Sequence, residues 1–273
     1  MNILLYPRGG LANRMRAIES AVNFCRDRDR LKVVWYTDWG MNCGWSDLFE
    51  AKPFIKDKPI SRLWRFILKH HDDNLYLRNL LQLLQRLHIL WYHEINGDEQ
   101  IPLIQEVVRG RYLWVVIDSW EAFYPSSSFR KELFVLKDQS LLQKELSKLD
   151  SNTIGIHIRR TDHTWSVNHS PIELFEDRMR KEISLNPATK FYLCSDDEDV
   201  KDHFRQGEWK DRVVLPEGTL GRDSKEGIVQ AAVEMFTLAH TKKIYGSYWS
   251  SFGEIAARIG GIPIEICATH ADS

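Results

Sequence analysis

The sequence predicts an α/β protein with mainly parallel sheets. Three observations carry that reading. Short apolar runs suited to strands alternate with segments of helical periodicity along the chain. The run TIGIHIRRTD, Thr153 to Asp162, alternates Ile154, Ile156 and Ile158 with Gly155, His157 and Arg159, the period of a strand with an apolar face. A strand, a glycine turn and an amphipathic helix open the chain.

Bulk properties narrow the class. A length of 273 residues allows one large domain or two small ones. With 43% hydrophobic and 27% charged residues, the composition is that of a globular protein. A net charge of −1 excludes a general polyanion binder, so no nucleic-acid partner is expected and any anion site must be local. No run of 18 apolar residues and no signal-like segment follows Met1. The expectation is a cytoplasmic protein without an integral membrane segment. Cys25, Cys43, Cys194 and Cys267 are far apart and form no C-x-x-C pair, which points to reduced thiols.

The elements follow in order. Asn2 to Tyr6 reads as a buried strand, broken by Pro7-Arg8-Gly9-Gly10. Leu11, Met15, Ile18, Val22 and Cys25 then recur at helical spacing. A strand, glycine turn and helix aim backbone N–H groups at an anion, although GGLANR is not the dinucleotide fingerprint. Leu31 to Thr37 reads as a strand, and 38–58 as irregular. The stretch 61–94 reads as helical, with Leu77, Leu80, Leu81, Leu84 and Leu87 on one face. Core packing is expected for that face, with peripheral membrane contact as the alternative for a basic amphipathic helix. Tyr112 to Ile117 is a further strand, Ser140 to Leu149 a polar helix, and the domain boundary is placed near Ser151.

Beyond Asp162, residues 163–170 read as a polar loop and Pro171 opens a helix to about Leu185. The strand Lys190 to Cys194 runs into Ser195, Asp196 and Asp197, a helix cap. The spacing of Asp197 and Asp199 also suits a divalent metal, but capping explains it without one. Val213 to Leu215 is a short strand. Ile228, Ala232, Met235 and Ala239 mark a helix, on which Glu234 faces away from the apolar side and reads as solvated. Lys243 to Tyr245 is a strand, followed by GSYWSSF, a helix, a Gly260-Gly261 stop and a last strand. Parallel strands put His157–Asp162, Ser195–Asp197 and Ser247–Ser251 on one edge, where open α/β sheets bind ligands. Adjacent arginines there suit a phosphate or diphosphate, with a buried ion-pair network involving Asp162 as the alternative.

Three motifs then carry a resemblance. HIRRTD at His157 to Asp162, FYLCSDD at Phe191 to Asp197 and YGSYWSSF at Tyr245 to Phe252 resemble, in that order, the motifs of the α-1,6- and α-1,2-fucosyltransferases and the protein-O-fucosyltransferases. The loop Gly9 to Asn13 resembles their N-terminal loop. The resemblance implies a GT-B-like pair of Rossmann-like domains, 1–150 on the acceptor side and 151–273 binding the nucleotide sugar. It implies an inverting, metal-independent transfer of fucose from GDP-fucose to a glycan acceptor. By the same resemblance, Arg159 binds the diphosphate and stabilises the leaving group, Arg160 supports it, and His157 lies against the nucleoside. Ser250 or Ser251 holds the β-phosphate, Glu234 falls near a guanine-reading carboxylate, and Gly9, Gly10 and Asn13 approach the donor. Ser247, Phe252, Asp196 and Asp197 complete the expected substrate set. After Asp162 the chain reads HTWSVNH, without the glutamate of the α-1,6 pattern. Asp162, His163 and His169 are left as bases, and a nucleotide-sugar-binding protein without turnover, or a transferase of another nucleotide sugar, as alternatives.

Overall fold

The computed structural model describes residues 1–273 except 27–28, 39, 59–65, 68–69, 71–72, 96–106, 108–109, 127, 162–163, 219–220, 222 and 270–273. The catalytic candidate Asp162 and its neighbour His163 lie outside the described residues. The chain forms two compact units, Met1–Val135 and Leu136–Ser273. The division precedes the position expected near Ser151 because the helix Gln139–Leu146 packs with the second unit. There Glu145 accepts a hydrogen bond from the Tyr192 hydroxyl at 2.9 Å.

In the first unit five parallel strands run in the order β3-β2-β1-β5-β4. They are β1 (Asn2–Pro7), β2 (Arg30–Trp35), β3 (Ile55–Asp57), β4 (Leu90–Ile95) and β5 (Trp114–Ser119). Helix α1 (Leu11–Phe24) packs on β1 through Met15 and Ile18, both fully buried. The segment 38–58 holds a short helix, α2 (Trp45–Leu48), as well as β3. Trp45 is buried against Trp35, Phe49 and Phe134, an aromatic contact set that periodicity does not reveal.

Two expectations for 61–94 are corrected. Phe66, Ile67 and His70 are helical and helix α3 spans Leu75–Arg86, but 90–95 is a strand paired along β5. His88 takes φ of 55° between them, ending the helix. None of the residues in α3 is buried, and Leu75, Leu80 and Leu83 are more than half exposed. The helix touches the edge strand β4, with Leu77, Leu81 and Leu84 half-buried rather than in the core. Among the described residues no helix is long and apolar enough to cross a membrane. The four cysteines form no disulfide.

The second unit begins with α4 (Gln139–Leu146). Its strands are β6 (Thr153–Ile158), β7 (Lys190–Ser195), β8 (Val213–Val214), β9 (Ile244–Ser247) and β10 (Ile264–Cys267). All pair in parallel in the order β10-β9-β6-β7-β8, a doubly wound sheet with β6 at its centre. The helices are α5 (Thr164–His169), α6 (Ile172–Leu185), α7 (Glu198–Phe204), α8 (Lys225–Leu238) and α9 (Ser251–Gly260). Thr164–His169 is therefore helical where the polar composition reads as a loop.

Both faces of β6 are covered. Ile154, Ile156 and Ile158 pack with Phe175, Met179, Phe191 and Leu193. Each such fully buried side chain contributes about 2 kcal/mol of transfer free energy. On the other face, a Cβ at Gly155 would sit 2.8 Å from both Leu238 Cδ2 and Thr241 Oγ1. Glycine at that position is what lets the end of α8 reach the sheet. Gly261, at φ of 63°, terminates α9 in the left-handed conformation expected of a C-terminal glycine.

Candidate functional site

Chain order reverses at β6: β7 and β8 lie to one side, β9 and β10 to the other. The carboxyl ends flanking such a reversal form a binding crevice. The structure brings three of the motif segments together there. Arg159 follows directly on β6, and its N–H donates to Ser247 Oγ at 2.9 Å. The Ser247 hydroxyl also reaches the His157 carbonyl at 3.4 Å, tying the end of β9 to β6.

Asp196 gathers the third strand end. Its carboxylate pairs with the Arg159 guanidinium and accepts the Arg160 N–H and the Thr161 hydroxyl, each at 2.8 Å. Burial by itself raises the pKa of Asp196. The Arg159 charge, the Thr161 hydroxyl and the Arg160 N–H outweigh it, so the carboxyl sits below its usual range. Arg159 is 7% exposed. One ion-pair partner of Arg159 thus comes from the end of β7.

Arg160 turns inward. It donates to the Arg159 carbonyl at 3.2 Å and to the Ser170 carbonyl at 2.8 Å. Burial lowers its pKa, against the pull of Asp197, Asp196 and Glu173. Both bonds brace the backbone after β6. Asp197 accepts the Asp199 N–H at 2.8 Å and so caps α7.

His157 is buried and stacks on Phe252 with ring centroids 4.7 Å apart and planes 19° apart. Phe252 sits in the first turn of α9, which starts at Ser251. Ser250 occupies the N-cap position without making a side-chain capping bond. The positive end of a ten-residue helix therefore opens shortly after Ser247, which holds the Arg159 N–H, with serines at its mouth.

Glu234 lies on α8, within hydrogen-bond reach of Cys194 near the end of β7. It is 6% exposed, not solvated as periodicity indicates, and accepts a hydrogen bond from Gln230 at 3.1 Å. Burial pushes its carboxyl up to about 7, with Gln230, Lys201 and Cys194 acting in the opposite direction. The same burial raises the Cys194 thiol.

In the first unit, Gly9 takes φ of 74° and Gly10 is the N-cap of α1. A Cβ at Gly9 would meet the Asn13 side-chain nitrogen at 2.8 Å. Arg14, fully buried, fixes this turn by donating to the Gly9 carbonyl at 2.8 Å and to Asp38 at 2.9 Å. At the carboxyl ends of the same sheet, Arg8 pairs with Asp118 and Glu94. Sequence reading assigned no role to Arg8, Arg14, Glu94 or Asp118. Arg8 directly follows β1, the signal that singled out Arg159, whereas Glu94 and Asp118 are the penultimate residues of β4 and β5 and Arg14 lies in α1.

The segment after β6 holds one more group. His169 Nδ1 lies 2.9 Å from the Trp165 carbonyl. A carbonyl only accepts, so Nδ1 donates here and Nε2 is the ring nitrogen left to take a proton.

Two Rossmann-like units, the second with this polar edge, define a GT-B-like α/β fold. The fold is shared with solved fucosyltransferases. A variant of Arabidopsis thaliana FUT1 in complex with GDP superposes with a TM-score of 0.55 at 16% identity, over 97% of this chain and 69% of that one. NodZ α-1,6-fucosyltransferase soaked with GDP-fucose gives 0.57 at 16% identity over 94% and 92%, and a crystal structure of NodZ from Bradyrhizobium gives 0.56 at 14% over 93% and 92%. POFUT1 in complex with GDP-fucose gives 0.55 at 10% identity over 97% and 98%. The sequence matches no family profile and no curated protein.

Proposed function

We propose that the chain is an inverting glycosyltransferase that moves fucose from GDP-fucose to a glycan hydroxyl without a metal ion. The convergence of Arg159, Asp196, Ser247 and Ser250 at the reversal of the second sheet carries the reading. Fold-sharing proteins crystallised with GDP or GDP-fucose support the choice of donor.

The second unit binds the donor. Arg159 and the N-terminus of α9 meet the diphosphate, with Ser250 and Ser251 at the β-phosphate. The stacked His157 and Phe252 lie beneath the nucleoside. The acceptor oxygen bonds to the anomeric carbon as that carbon's bond to the phosphate oxygen breaks. The electron pair of the broken bond leaves with GDP, and the configuration inverts. Charge grows on the diphosphate, so fixed donors aimed at it lower the barrier. The hydroxyl proton passes to a base in 162–169, either Asp162 or the Nε2 of His169.

A second reading, donor binding without transfer, is favoured by the missing glutamate after Asp162. Thermal-shift titration with GDP, UDP and ADP tests the donor, and equal stabilisation by all three overturns it. Release of GDP from GDP-fucose in EDTA, with a panel of oligosaccharides present, separates transfer from binding.

A further inference from the structure

An exposed aromatic cluster lies on the same edge of the second unit. Trp165 is 57% exposed and Trp249 65%, with ring centroids 6.0 Å apart and planes 38° apart. Adjacent exposed rings form a contiguous apolar patch, and such patches mark binding surfaces. His169 stacks on Trp165 at 5.2 Å and packs against Tyr248 at 5.1 Å. Tyr248 in turn meets Trp249 edge-on at 5.8 Å. The four rings form a shelf contributed by α5 and by the turn after β9.

The shelf is fixed to the donor site by Ser170. The Ser170 carbonyl accepts Arg160, while its hydroxyl accepts the Tyr248 N–H at 2.8 Å. Trp249 directly precedes Ser250 and is held at φ of 55°, a conformation bulky residues rarely adopt. Backbone strain of this kind concentrates at functional sites.

We infer that Trp165 and Trp249 form a stacking platform for a pyranose ring of the acceptor saccharide. The chemistry favours a sugar. A pyranose presents a C–H face that packs on an aromatic surface while its hydroxyls stay hydrated at the rim. A guanine base stacked here would also need acceptors for its N1–H and N2–H, whereas a pyranose face needs only the rings. The platform deepens the transferase reading by assigning the acceptor a saccharide face.

The test uses the full chain on an array of defined oligosaccharides, with and without saturating GDP, beside calorimetric titration of GDP. The variants are Trp165→Ala, Trp249→Gly, which suits the left-handed backbone, and Trp249→Phe, which keeps a ring. The expected result is retention of a subset of oligosaccharides by the unaltered protein. Trp165→Ala and Trp249→Gly lose that binding at least about tenfold, Trp249→Phe keeps part of it, and GDP affinity changes less than about twofold. No oligosaccharide bound by the unaltered protein overturns the platform, as does unchanged binding in both variants. GDP affinity lost with Trp249→Gly assigns the shelf to the base instead. Failure of the donor reading is distinct: the unaltered protein would then not bind GDP, whatever the array shows.

Discussion

The Arg159 guanidinium and the Asp196 carboxylate form an ion pair that joins the ends of two adjacent strands, at the position where the donor diphosphate is proposed to lie. The carboxylate sets the direction of the guanidinium and also fixes the backbone after β6 through the Arg160 N–H.

Arg159 therefore has two separable losses. Arg159→Ala leaves the Asp196 carboxylate without its cation, which for a buried pair costs about 3–5 kcal/mol. Asp196 keeps 24% of its side chain exposed, so about 3 kcal/mol is the expected ceiling. Arg159→Lys retains the charge and most of the stability, but loses the planar fork. Both variants are expected to slow transfer by roughly 100-fold or more. Urea melts and single-turnover rates on the same preparations check this. A lysine variant whose activity falls only in proportion to its unfolded fraction would make Arg159 purely structural.

Asp196 predicts an acid-side dependence. Its folded pKa lies below the unfolded value of about 3.9. The stability it contributes is present above the unfolded pKa and is lost as pH falls through the folded one. Asp196→Asn should thus be less stable than the unaltered protein at pH 7, with the gap narrowing below about pH 4. Denaturant midpoints measured from pH 7 to 3 read the convergence; a constant gap contradicts it.

Glu234 predicts the opposite slope. Its folded pKa is raised from 4.5 to about 7, so its favourable neutral form is fully present below the unfolded pKa. That contribution is lost as pH rises through about 7. Replacing the carboxyl by a neutral amide removes the penalty: Glu234→Gln should stabilise the protein at pH 8 by about 3 kcal/mol, and by little near pH 4. Thermal melts at the two pH values decide it. Equal stability of the two proteins at pH 8 refutes a buried carboxyl.

Gly155 predicts a packing penalty. Gly155→Ala drives a methyl into Leu238 and Thr241, and overpacking of this kind costs about 1–3 kcal/mol. Leu238→Ala in the same chain makes room, so the double variant should lose less than the sum of the two single losses. A double-mutant cycle by chemical denaturation measures that coupling. Strict additivity would show that the end of α8 does not rest on Gly155.

The second unit was the legible half. Alternation in Ile154 to Ile158 and the polar residues after each strand give both the sheet and its functional edge, because strand ends are local in sequence. Asp196 was named as a site residue, but its pairing with Arg159 was not, because partner choice between strands is set by register. Glu234 was misread for a related reason: helical periodicity treats one face as solvent, whereas α8 is buried on more than one side, against the sheet, α4 and α9. Residues 90–94 read as helix because they follow directly on the leucine pattern that ends at Leu87, and pairing with β5 makes 90–95 a strand. The aromatic shelf was visible only as scattered residues, Trp165 and His169 in one segment, Tyr248 and Trp249 in another.

The parallel sheets have a kinetic consequence. Among the described strands every ladder in both sheets is parallel, so none closes through a tight hairpin. Gly155 pairs with Ile244 only after α6, β7, β8 and α8 have intervened. The central contact of the second unit is thus among its most distant in sequence. Refolding of that unit from denaturant should be slow for its size, in the range of non-local topologies, with collapse preceding β6–β9 pairing. During that interval the edges of β6 are open to other chains, so the yield of refolded protein should fall as its concentration rises.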